Sequence, residues 1–80
     1  MTNNPATESR ARPAEIIFEV TEAVEGGYDA RALGYSIYTQ GENWDDLKEM
    51  ARDAVLCHFD EQGAPRVVRL HLVREEAIAV

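Results

Sequence analysis

Gly26–Leu47, GGYDARALGYSIYTQGENWDDL, decides how this chain folds. It holds a double-glycine turn, two short strand-like runs, a second glycine corner and the opening of one long amphipathic helix. Before the turn, Glu15–Val24 (EIIFEVTEAV) alternates Ile16, Phe18 and Val20 with Ile17, Glu19 and Thr21, the period of a half-buried strand. A three-residue hairpin loop, Glu25-Gly26-Gly27, supplies glycine for the left-handed bulge position. It pairs Val24 with Tyr28 and Val20 with Ala32. A two-residue loop would put Asp29 and Arg31 on the face of Phe18, so the three-residue loop is preferred. Ala30 and Ala32 then share the core face, and two small side chains there leave room for a helix. Gly34 permits a tight corner, Tyr35–Gln40 (YSIYTQ) reads as a third strand from its aromatic and β-branched residues, and Gly41 ends it.

The helix follows at once. Asn43 is a good N-cap, Asp46 stands three residues on, and Asp45 and Asp46 suit the positive end of the helix dipole. The spacing predicts a helix from Trp44 to about Phe59. Its apolar arc, centred on Leu47, holds Trp44, Met50, Ala51, Ala54, Val55 and His58, with Cys57 and Phe59 near the edges. Asp45, Glu49, Arg52 and Asp53 fall on the far side, and Leu56 projects into the middle of that polar face. Gln62-Gly63-Ala64-Pro65 is expected to stop the helix, glycine as the cap and proline as a residue that cannot continue it. Arg66–Val73 (RVVRLHLV) is the last strand, with Val68, Leu70 and Leu72 on one side and Arg69 and His71 on the other.

The order is therefore β-β-β-α-β, an α+β fold. A right-handed crossover through the helix favours a mixed four-stranded sheet of order 3-2-1-4, the last strand parallel to the first and the helix on one face. Ile17, Leu33 and Tyr38 lie among charged residues on the other face. Residues 1–13 carry two prolines and few apolar side chains, and are predicted to form a flexible arm ahead of a single domain over 14–80.

Eighty residues bury only roughly 60% of the unfolded surface, so such a domain gains from self-association. The formal charge of −7 opposes binding to a phosphate backbone and favours a basic partner or simple solubility. One cysteine, Cys57, excludes an internal disulfide framework. No apolar run approaches the length of a membrane span and the N-terminus is polar, so a cytoplasmic protein without a membrane segment is expected.

Chemistry is sparse. Cys57 and His58 are adjacent on a helix and diverge by about 100°, and His71 lies on a strand, so no metal set is completed. The carboxylates Asp45, Asp46, Glu49 and Asp53 sit on an open face interleaved with Lys48 and Arg52, not in the desolvated setting that acid–base catalysis requires. Gly26-Gly27-Tyr28 is followed by a strand and lacks the features of a phosphate loop, and the tyrosines have no Lys/Arg cluster for nucleic acid. No enzyme, cofactor or metal site is expected. The candidate partner contact is Asp45, Glu49, Arg52, Asp53 and Leu56, with Leu56 as the apolar centre of a docking patch. An exposed sheet edge is the other candidate.

The runs Gly27-Tyr28-Asp29-Ala30, Leu33-Gly34-Tyr35-Ser36 and Thr39-Gln40-Gly41-Glu42-Asn43, followed by Asp45-Asp46-Leu47, resemble the HicB-like antitoxin family. Its members show an aromatic-x-alanine strand, a leucine–glycine corner, a threonine-x-glycine-acid turn and a helix opening on two acids. Val67–Val73 looks like the last strand of its short, single-domain members, and the similarity spans roughly residues 15 to 75. Asn43 stands where the family often has Thr or Ser, and both cap well. The resemblance implies a partial ribonuclease-H-like domain that masks a small basic HicA-type ribonuclease toxin. It implies no nuclease activity, since a fold does not carry function. Because the chain stops at Val80, the DNA-binding segment of full-length antitoxins, and with it operator binding, is not expected. The alternative is an orphan homo-oligomeric scaffold or regulatory subunit with no toxin, paired through strand edges or the uncovered sheet face.

Overall fold

The computed structural model describes residues 14–60 and 62–80, and the arm expected over residues 1–13 lies outside them. The elements run β1 (Glu15–Glu22), β2 (Tyr28–Ala32), β3 (Tyr38–Gly41), α1 (Trp44–His58) and β4 (Val67–Val73). They form one mixed sheet of order β3-β2-β1-β4, with β1 antiparallel to β2 and parallel to β4. This is the expected α+β arrangement. The core is built from the even-numbered face of β1 (Ile16, Phe18, Val20), from Ala30, Ala32 and Ile37, and from Leu47, Ala51 and Val55 of α1.

The first hairpin differs from expectation: its loop lies one residue earlier, and the cross-strand partners shift by two. β1 stops at Glu22, and Val20 faces Ala30 while Phe18 faces Ala32. The loop does have three residues, but they are Val24-Glu25-Gly26, closed by Gly26 N–H to Ala23 O at 3.1 Å and Ala23 N–H to Gly27 O at 3.0 Å. Gly26 takes the left-handed bulge position (φ 104°). Gly27 also has a positive φ (82°), and it meets a second demand, because a Cβ there would lie 2.5 Å from the Gly41 carbonyl oxygen at the end of β3. Moving the loop by one residue shifts both arms together and leaves side-chain parity intact. Ala30 and Ala32 therefore still face the core.

The third strand begins at Tyr38, not Tyr35. Ala32 N–H bonds to Ile37 O at 2.9 Å and Gly34 has φ 85°, so residues 33–36 form the corner. The Tyr35 ring is drawn off the sheet, edge-on to Phe59 at 5.3 Å and to His58 at 6.1 Å between centroids. This cluster also ends α1. Phe59 turns extended while its N–H still reaches Val55 O, so Phe59 is the C-cap. Gly63 is not the helix cap, as the Gly-Ala-Pro run had suggested. It closes a separate turn on the Asp60 carbonyl and carboxylate at 3.0 and 2.7 Å.

At the other end of α1, Asn43 Oδ1 accepts from Asp46 N–H at 2.8 Å, and Asp46 Oδ2 accepts from Glu42 N–H at 2.9 Å. The reciprocal pair satisfies two exposed donors at the chain's entry to the helix. Asn43→Ala is expected to cost about 1 kcal/mol and lower Tm by roughly 4–8 °C in a thermal melt, while Asn43→Ser stays near wild type. The buried stripe of α1 is narrower than its apolar arc. Met50, beside Gln40 and Gly41 at the β3 edge, is 41% exposed, and His58, in the last position of the helix beside Tyr35 and Phe59, is exposed.

Candidate protein-interaction site

Gly41 sets the lean of the helix. A Cβ at Gly41 would lie 2.5 Å from both N and Cα of Leu47, so backbone packs directly on backbone at the end of β3. Drawn in there, α1 stands off the opposite edge of the sheet. Between α1 and β4 a groove of 510 Å³ opens, floored by Ala51, Val55, Val68 and Leu70 and bordered by Lys48, Arg52, Leu56 and Arg66. Val68 and Leu70 are half-buried, unlike their fully buried counterparts on β1.

The five candidate contact residues divide between two surfaces. Arg52 and Leu56, the latter 46% exposed, line the groove. Asp45, Glu49 and Asp53 are exposed on α1 and do not line it. Asp45 meets Lys48 at 3.2 Å with its side chain 90% exposed, a pairing in water that contributes little. Glu49 and Asp53 have no ion-pair partner among the described residues. Periodicity alone finds this acidic ridge. It does not find Arg66, which reaches the groove from the β4 side. The signal for that was the Val68–Leu70–Leu72 alternation on a strand at the sheet's end.

The sheet face away from α1 is laced with polar pairs. Arg31 bonds Glu19 at 3.1 Å and Arg69 bonds Glu15 at 2.9 Å, whereas Arg74 bonds Glu22 at 3.1 Å at the end of the α1 side. Tyr38 and the Gln40 amide both donate to Asp29 Oδ1, at 2.9 and 3.1 Å. The hydrogen bond from Arg69 holds the Glu15 carboxyl below its ordinary range, and Glu15 in turn raises Arg69. Donation to the Asp29 carboxylate pushes the Tyr38 hydroxyl up. Leu33 (46%) and Tyr38 (60%) stand exposed beside these pairs. Cross-strand pairs of this kind fix the register of exposed strands.

Cys57 is exposed and His58 packs edge-on to Phe59 at 4.9 Å, so the two side chains serve different surroundings. Among the described residues no three His, Cys, Asp or Glu side chains gather as a metal would require, and no helix is long and apolar enough to cross a membrane.

Over 66 residues, 82% of this chain and 93% of the relative, the sequence is 50% identical to a UPF0150 protein of Thermotoga maritima. The chain belongs to the UPF0150 family. A second UPF0150 protein, from Archaeoglobus fulgidus, is 42% identical over 59 residues, 74% of this chain and 89% of that one. No family model matches the chain, and no solved structure matches it. The names of these two UPF0150 relatives state no activity, so for this chain function rests on the surfaces described above.

Proposed function

We propose that this UPF0150 chain is an HicB-like, antitoxin-type protein-binding module that masks a small basic HicA-type ribonuclease toxin and is not itself an enzyme. The observation that carries the reading is the exposed carboxylate ridge of Asp45, Glu49 and Asp53 on a chain of formal charge −7. A basic active surface would be steered to that ridge and covered by it, with Leu56 as an apolar neighbour and Arg52 at the margin. The β3-β2-β1-β4 sheet with one helix agrees with the fold that the HicB resemblance implies. A cytoplasmic location belongs to the same proposal.

Co-expression with a small basic protein encoded beside it tests this directly. The expected result is co-purification and relief of toxicity, and neither occurring would sink the reading. Asp45→Lys with Glu49→Lys is expected to slow association by about tenfold at low salt and to leave the fold intact, since both side chains are exposed. Unchanged association in stopped-flow would remove the ridge from the contact. A second reading, a homo-oligomeric scaffold without a toxin, is favoured by the open edge of β4.

A further inference from the structure

β4 is an edge strand, paired on one side with β1. Five of its seven residues are aliphatic, and Val67, Leu72 and Val73 are 46, 40 and 38% exposed. Neither proline nor lysine blunts it, and Arg69 is engaged by Glu15. Long apolar edges of this type pair with another strand unless something covers them.

Charge selects the occupant. Arg31, Lys48, Arg69 and Arg74 each sit in an ion pair, whereas Arg52 and Arg66 sit in none among the described residues. Both border the groove beside β4. A basic partner would be repelled there, and a segment combining acidic and apolar residues would fit. The chain carries one. Arg74–Val80, REEAIAV, is exposed throughout and outside any strand, with Ile78 at 76%. The Arg74–Glu22 pair extends the β1–β4 register by one residue beyond Thr21–Val73, so the segment leaves in line with β4.

We propose that the free edge of β4 takes the β4 edge of a second copy, antiparallel and two-fold, with the Glu75–Ile78 segment of each copy laid along the groove of the other. With His71 opposite its counterpart, Leu70 faces Leu72 of the second copy, and Arg66 faces Glu76 of the second copy on the groove side. Ile78 of the second copy then lies opposite Ala64, beside Pro65 and Leu56 at the groove's end. This gives the exposed Leu56 an apolar partner and Arg66 a carboxylate, and a two-fold arrangement closes on itself. It deepens the scaffold reading and does not depend on a toxin being bound.

The test is the mass of the purified full chain, alone, by light scattering. The expected mass is twice 9.0 kDa. Leu72→Lys should give a monomer, Arg66→Glu should weaken the dimer by about tenfold, and Arg66→Glu with Glu76→Arg should recover most of that loss. Only the Leu72 variant risks the fold, and the charge swap decides the matter if it fails to fold. A wild-type monomer at the highest soluble concentration overturns the proposal. So does a dimer indifferent to Leu72→Lys or Arg66→Glu, or a swap that recovers nothing. Failure to capture a toxin in co-expression would leave these masses unchanged, so the two proposals fail separately.

Discussion

Phe18→Ala is expected to remove a large part of the stability of the fold, about 3–5 kcal/mol. Phe18 is 0% exposed at the middle of β1, the central strand, between Ala32 on β2 and Leu70 on β4. Its ring fills the space between the sheet and the Leu47–Ala51–Val55 stripe of α1. Ala32 and Ala51 cannot grow into the void, and β1 is held on both sides by strand pairing, so the site has little means of collapse. Truncating a buried phenylalanine costs about 3–5 kcal/mol. A domain of this length has a total stability of about 4–12 kcal/mol. Urea titration followed by the fluorescence of Trp44, the single tryptophan, would read the loss, because its ring packs edge-on to Tyr28 at 5.2 Å. A midpoint within experimental error of wild type would mean that Phe18 does not organise the core. Should the chain associate through β4, the titration must be made at fixed protein concentration, since association adds to apparent stability.

The faces of the sheet were legible because strand periodicity is a local property. Ile16, Phe18 and Val20 alternate with polar neighbours, and Ala30 and Ala32 share their parity, so the core side of β1 and β2 follows from the residues alone. The place of the three-residue loop relative to the two glycines does not follow, since both have positive φ. Nor does the second demand on Gly27, whose missing Cβ admits the Gly41 carbonyl, a contact between residues fourteen positions apart. Tyr35 has strand propensity, yet its ring gains more against Phe59 and His58 than as a strand residue, and β3 begins three residues later. The acidic ridge on α1 was readable for the same reason as the sheet faces. The groove was not, because it depends on where across the sheet the helix settles.

That lateral position is what Gly41→Ala should destroy. Gly41 is buried at the end of β3, and its φ is not positive, so the backbone alone would accept any residue there. The obstacle is steric. The new methyl would meet Leu47 N and Cα at 2.5 Å and Leu47 Cβ at 2.7 Å, all atoms fixed by the first turn of the helix. Leu47 is itself 0% exposed, so it cannot move outward without withdrawing its side chain from the core. Overpacking against side chains typically costs 1–3 kcal/mol, and rigid backbone places this case at the upper end, about 3 kcal/mol, with Tm lower by roughly 12–24 °C. Gly34→Asn supplies the contrast. Gly34 has φ 85° with open space around it, and asparagine tolerates that conformation, so its melting temperature should stay within a few degrees of wild type. If the two variants melted alike, close packing of α1 on β3 would not be what Gly41 provides. Should Gly41→Ala survive as a folded protein, α1 must have shifted toward β4, and the groove bordered by Arg52, Leu56 and Arg66 would narrow. A dimer that depends on that groove would then weaken together with the fold, whereas one paired through backbone alone would not.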